Sequence, residues 1–222
     1  MWRSRRSATA PPGWGARSMP GRVALTTPPA RLARAFDARL EVPDPGPRED
    51  AAPGEQVAAL ILHDETGVLV QARWGMVMSG RVNARGRPVM ETIVNARAET
   101  VFGKSAFAGV GRAVLPVDAW YEWTGTAGRK TRWRIGAADG GLLAFAAIAD
   151  VWTAPGGTRV RQLATLTCAP NADVADYHHR MPVILPDAAA VGVWLTAPAD
   201  RAAALLAPLP GGRLSVRRSE LK

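Results

Sequence analysis

At 222 residues, 47% hydrophobic and 21% charged, the chain is long enough for one well-cored domain and has an ordinary globular balance. The best apolar run, residues 141–148, falls far short of the roughly 18 residues of a membrane-spanning helix; the lone Cys168 excludes an internal disulfide framework, and three histidines give no ligand set spaced for structural zinc. A net charge of +9 and an isoelectric point near 11.0 point to a polyanionic partner, most simply nucleic acid, or else to a solvated basic surface.

Part of that charge lies at the start. Residues 1–18 carry Arg3, Arg5, Arg6 and Arg17 and no acid, so the rest of the chain holds 9 − 4 = +5. With Pro11-Pro12-Gly13 and no apolar periodicity they read as a disordered leader, a transit or pro-segment, or a misplaced start, with Met19 as an internal candidate start. Residues 19–222 read as a single domain. A reducing cytoplasm is the expected compartment, near the nucleoid in a bacterium.

In chain order, a short strand over 21–25 leads to Thr26-Thr-Pro-Pro29, where a threonine cap and proline predict a helix to about Leu40. Leu32 and Phe36 share one face of it, with Arg31, Arg34 and Arg39 largely outside. The proline-rich acidic stretch 41–55 is too long for a simple linker and is expected to lie against the domain. Residues 57–62 and 68–72 read as a hairpin through Asp64-Glu-Thr-Gly67. The basic loop 79–87, with Arg81 and Arg85, either tracks a phosphate backbone or is solvated. In Val94-Asn-Ala-Arg-Ala-Glu-Thr100, an extended backbone aims Asn95 and Arg97 the same way, toward an anionic or carbonyl substrate or into a turn-capping network. A helix through Phe102 and Phe107 is expected next.

Asp118-Ala-Trp-Tyr-Glu-Trp123 is the most aromatic stretch. As a strand it sets Trp120 and Glu122 on one face, Tyr121 and Trp123 on the other. A carboxylate beside an indole loses hydration, which raises its pKa and suits it to general-acid work; the alternative is a strand-end glutamate with its head in water. Residues 129–134 alternate charge with Trp133 as a hairpin arm does, and 142–148 and 160–167 read as core strands. Adjacent His178 and His179 are expected to point apart and so to hold no shared metal. Helices over 187–195 and 200–206 and a strand near 213–217 close the chain. The fold class read from these elements is α+β, with a mainly antiparallel, barrel-like sheet and peripheral helices.

Three ordered blocks, Val94-Asn-Ala-Arg-Ala-Glu-Thr100, Leu115-Pro-Val-Asp-Ala-Trp-Tyr-Glu-Trp123 and Tyr177-His-His-Arg-Met-Pro-Val-Ile-Leu185, resemble the SOS-response-associated peptidase family, the abasic-site processing proteins. The resemblance runs from about Met19 to Leu195 and implies a β-rich α+β domain with a barrel-like core. It implies a sensor of abasic sites in single-stranded DNA, whose amino-terminal cysteine closes on the sugar aldehyde as a thiazolidine. By position it makes Asn95 an active-site amide, Glu122 the acid that opens the sugar ring, and His178 a partner at the same centre. Arg22, Trp74, Arg81, Arg85, Arg97 and Arg180 form the implied DNA-contacting set, with no metal, no cofactor, no membrane association and a monomeric state.

The chain departs from this pattern at three places. The family's opening Met-Cys-Gly-Arg corresponds to Met19-Pro20-Gly21-Arg22, so Pro20 stands where the nucleophile is expected. The family's Asn-x-Ala-Pro-Gly corresponds to Asp50-Ala-Ala-Pro-Gly54, and its Pro-Ser-Trp to Met78-Ser79-Gly80. Three functions follow: abasic-site chemistry through a Pro20 amine if that residue becomes a chain end, a single-stranded-DNA-binding module without turnover, or a cysteine peptidase pairing Cys168 with His178. Cys168 also reads as a small core residue of a buried strand.

Overall fold

The computed structural model describes residues 19–78, 84–86, 91–107, 109–154 and 156–220, so the expected leader and Arg81 lie outside the described residues. In order the elements are β1 (Val23–Leu25), α1 (Pro29–Ala35), β2 (Arg39–Glu41), β3 (Arg48–Ala51), β4 (Gln56–His63), β5 (Thr66–Trp74), β6 (Met76–Val77), β7 (Thr92–Ile93) and β8 (Asn95–Arg97). They continue as β9 (Gly111–Val117), β10 (Ala119–Thr124), β11 (Thr131–Ala137), β12 (Leu143–Thr153), β13 (Arg159–Cys168), β14 (Met181–Pro182), β15 (Ile184–Leu185), α2 (Ala188–Thr196), α3 (Ala199–Ala203) and β16 (Leu214–Arg218).

Two sheets carry the architecture. In the larger one, hydrogen bonds run β13–β12–β9–β4–β5 and return to β13, closing a barrel. The expected hairpin supplies β4 and β5; Asp64 and Glu65 at its tip both take positive φ, 46° and 62°, the left-handed pair that a two-residue turn needs to match the strand twist. The closing β5–β13 contact is parallel, as are β2–β5 and β8–β13, within an otherwise antiparallel scheme. The second sheet, ordered β16–β11–β10–β1–β3, lays β10 against the barrel's apolar core. Trp120 there meets Phe145 of β12 edge to face, centroids 5.6 Å apart.

The helices are shorter than the sequence predicts. α1 begins after Pro28 without a side-chain cap, because the Thr27 hydroxyl is spent on Asp118 instead, and it ends where Asp37 turns to φ 47°. The chain then returns as β2. The expected helix through Phe102 and Phe107 is reduced to 3₁₀ turns, Ala98–Thr100 and Ser105–Phe107, with Gly103 between them and Gly109 at φ 80° beyond. α2 forms as expected, with Asp187 accepting from Ala190 N–H at 2.8 Å. The acidic stretch 41–55 lies against the domain by supplying β3, which pairs with β1.

Asp118 joins the two halves of this arrangement. Its carboxylate accepts from the Thr26 and Thr27 amides at 2.6 and 3.0 Å and from the Thr27 hydroxyl at 2.5 Å. Burial pushes its pKa up, but these donors outweigh burial and hold it below the usual range. Its stabilisation is therefore present above the ordinary carboxylate pKa and lost as pH falls through the lowered value. Asp118→Ala is expected to cost about 3 kcal/mol, read from urea unfolding, as hydrogen bonds to a charged acceptor are each worth roughly 1.5–3 kcal/mol.

Candidate functional site

Strand alternation in β10 does what the sequence predicts. Trp120 enters the main core while Ala119 and Tyr121 pack with Ala24 on the opposite face. Glu122 follows Trp120 inward and is 7% exposed, with its Oε1 buried and without a hydrogen-bond partner among the described residues. Burial lifts its pKa to about 8, so the carboxyl is largely protonated at neutral pH.

The residues expected beside it converge through backbone register. β1 pairs with β10 at Val23↔Trp120, and Tyr121 N–H donates to Arg22 O at 3.0 Å. Continuing that register sets Gly21 alongside Glu122. Pro20, one step further, is buried after a cis Met19–Pro20 bond, and its carbonyl accepts from Asn95 Nδ2 at 3.2 Å. Asn95 is itself oriented, since the Thr165 hydroxyl donates to its Oδ1 across the β8–β13 register Thr165↔Asn95. Thr165 had no sequence signal, because its partner strand is parallel and distant in sequence.

His178 follows the turn over residues 172–177. Asn171 organises it, donating to Leu209 O at 3.0 Å and accepting from Asp173 N–H at 3.1 Å. Tyr177 packs edge-on against Trp133, centroids 4.9 Å apart, and Trp133 is the cross-strand partner of Glu122. Arg180 N–H donates to His178 Nδ1 at 3.0 Å, and the same ring nitrogen lies 3.3 Å from Arg180 O. Burial, and then neighbouring His179, push the His178 pKa down to about 4, so the ring is neutral. The two imidazoles do not point apart as expected; they stack with centroids 4.4 Å apart, because the segment is a tight turn and not a strand. Among the described residues no group of His, Cys, Asp and Glu is placed to hold a metal.

The expected DNA-contacting residues divide. Arg97 and Arg85 are exposed. Arg22 is partly exposed and its Nη1 donates to Asp50 Oδ2 at 3.1 Å. Arg180 is already paired: it grips the half-exposed Glu99 carboxylate with both terminal nitrogens, one contact at 2.9 Å, and donates to Thr167 O. That hydrogen bond holds Glu99 below the usual carboxylate range. Trp74 corrects the expectation outright, for it is fully buried in the barrel core and offers no surface to a base. Cys168 is buried, and burial raises its thiol to about 11. Arg132, which the sequence reading passed over as one of a basic run, is buried and stacked on Tyr121.

Among the described residues no helix is long and apolar enough to cross a membrane. The chain is 31% identical over 145 residues to the abasic site processing protein YoqW of Bacillus subtilis, covering 64% of this chain and 63% of that protein. It is 31% identical over 151 residues to the abasic site processing protein YedK of Escherichia coli, covering 66% and 64%. The aligned region thus spans just under two thirds of these relatives. A crystal structure of a Bordetella bronchiseptica protein superposes with a TM-score of 0.73 at 29% identity, over 90% of this chain and 99% of that one. One from Bacteroides thetaiotaomicron, at 20% identity and a TM-score of 0.76, covers 90% and 92% and shows the same fold. The family model described as SOS response associated peptidase matches residues 19–220, and the chain belongs to that family.

Proposed function

We propose that this protein senses or processes abasic sites in single-stranded DNA, as part of a DNA-damage response. The observation that carries the reading is the protonated, water-poor Glu122 beside the Pro20–Gly21 segment, with Asn95 fixed on the Pro20 carbonyl. It is supported by membership of a family whose curated relatives are named for abasic-site processing. The closed-ring form of an abasic sugar needs a proton on its ring oxygen to expose the C1′ aldehyde, and Glu122 can give one near neutrality.

If chain cleavage frees Pro20, its nitrogen becomes a secondary amine with a pKa near 8, neutral in useful fraction. The amine lone pair attacks C1′, the carbinolamine loses water with a proton supplied by Glu122, and an iminium remains. Hydride from borohydride then reduces that iminium to a stable tertiary amine. Neutral His178 can accept the C2′ proton, which expels the 3′ phosphate by β-elimination.

A second reading, a binding module without covalent chemistry, is favoured by Met19. Its side chain is 6% exposed within the core, and while it is attached the Pro20 nitrogen is an amide without a free pair. Peptidase action through Cys168 is disfavoured by a buried thiol held protonated.

The deciding experiment uses a single-stranded oligonucleotide bearing one abasic site, with two forms of the protein, one beginning at Pro20 and one retaining residues 1–19. The Pro20 form alone should give a shifted band on a denaturing gel, and only with borohydride present. Neither form should give a heat-stable crosslink without it. A Pro20 form that binds the oligonucleotide and never traps establishes the binding module instead.

A further inference from the structure

The smaller sheet has an outward face that the Glu122 chemistry does not use. Alternation puts Tyr121 and Trp123 of β10 on that face, and the register Tyr121↔Arg134, Trp123↔Arg132 and Arg134↔Arg217 adds three arginines to it. Arg132 lies over the Tyr121 ring, its Cζ 3.8 Å from the centroid, and 5.4 Å from that of Trp123. Its side chain is 6% exposed. A buried guanidinium demands an anion, and here Asp50 supplies it: Arg132 Nη2 donates to Asp50 Oδ1 at 2.6 Å, while Arg22 Nη1 donates to Oδ2 at 3.1 Å.

The two ends of this contact differ in how firmly they are held. Arg132 is buried over two aromatic rings, whereas Asp50 and Arg22 are 42% and 41% exposed. An exposed carboxylate gains little from such a pair and can swing into water, whereas the buried cation cannot leave. A carboxylate bridging two guanidiniums presents two oxygens and a negative charge, as a phosphodiester does.

We infer that Arg22 and Arg132 form a phosphodiester-binding site for single-stranded DNA, and that Asp50 closes it as an internal substitute for the phosphate. A bound strand displaces the carboxylate, takes both arginines and lays a base against Trp123. Asp50 therefore weakens binding to any single strand and makes engagement an exchange of anions. This deepens the proposed function and rests on its premise that the protein meets single-stranded DNA.

The test is fluorescence anisotropy with an undamaged, fluorescein-labelled oligothymidylate, without borohydride, across a salt series. The proteins are the parent, Asp50→Asn, Asp50→Ala, the double variant Asp50→Ala with Arg132→Gln, and Asp64→Asn. The last makes the same change of net charge in the exposed β4–β5 turn. Asp50→Ala is expected to bind about 10-fold tighter at low salt and to steepen the log K against log salt slope by about 0.7, as one further unit of phosphate neutralisation on a single strand requires. Asp50→Asn, which keeps the shape of the side chain, should move the same way and guards against loss of fold in the alanine variant. Asp64→Asn should stay within about 2-fold of the parent, and Arg132→Gln should remove most of the Asp50→Ala gain. Equal or weaker binding by both Asp50 variants, a gain matched by Asp64→Asn, or a gain that survives Arg132→Gln overturns the inference. Because the strand is undamaged, these outcomes stand apart from success or failure of the borohydride trap.

Discussion

Glu122→Gln is expected to gain stability relative to the parent as pH rises and, in the form beginning at Pro20, to lose the proposed borohydride-trappable adduct with abasic DNA. The carboxyl titrates at about 8 in the folded chain against an ordinary 4.5, so folding favours its protonated form. Its contribution is whole below the ordinary value, declines as pH rises through the interval and levels off above the folded value. At 1.36 kcal/mol per pKa unit the full loss between 4.5 and about 8 is on the order of 5 kcal/mol. Glutamine keeps the shape and does not ionise, so the variant escapes that loss. For a chain of this size about 1 kcal/mol moves Tm by 2–4 °C, so the Tm difference between variant and parent should widen by roughly 10 °C between about pH 5 and about pH 9. His178 acts on the acid side, because its lowered pKa makes the folded state resist protonation and costs stability as pH falls from the ordinary histidine range toward about 4. That effect is common to both proteins and cancels in the difference. A flat difference curve places the carboxyl in water and removes the case for it as an acid. On the chemical side, retained binding of abasic DNA with no borohydride-dependent band marks the loss of the proton donor.

The face behind that prediction was legible because it is local, while the sequence alone left the carboxyl between an apolar site and water. Period-two alternation alone sets Glu122 on the face of Trp120, and turn residues alone place the Asp64-Glu65 hairpin. What closes the barrel is not local. The parallel pairing of β5 with β13 joins Trp74 to Leu163 across a long stretch of chain, and nothing in either segment names the other. The same limit hid Thr165 behind Asn95 and Glu99 behind Arg180, since each pair meets only after β8 has found β13. Charge was the least reliable guide. Of the arginines read as DNA contacts, Arg180 is already paired with a half-exposed acid and a carbonyl, while Arg132, which the basic run gave no reason to single out, is a buried cation on the aromatic face. A motif reports which residue types occur together; whether a guanidinium faces water is decided by counter-ions that sequence spacing does not reveal.

Trp74 turns this distinction into a measurement. It lies where β5 meets β13, and the chain beyond it is confined: Gly75 takes φ 122°, donates to Leu163 O at 2.7 Å, and a Cβ there would come within 2.6 Å of Thr92 Cγ2. The indole therefore fills the inner side of the seam that closes the barrel. Trp74→Ala is expected to cost about 4 kcal/mol in urea unfolding, the transfer loss plus a cavity that a closed sheet cannot collapse to fill. Trp74→Phe isolates the polar part. The Trp74 Nε1 is buried and has no hydrogen-bond partner among the described residues, so phenylalanine loses volume but also removes an unsatisfied donor, and its cost should stay within about 1.5 kcal/mol. The phenylalanine variant should bind undamaged single-stranded DNA as the parent does. An indole that stacked on a base in a surface path would behave the opposite way, with little change in stability and a loss of binding in both variants. A folded, stable Trp74→Ala that fails to bind DNA would return this residue to the interface and put the seam's stability elsewhere.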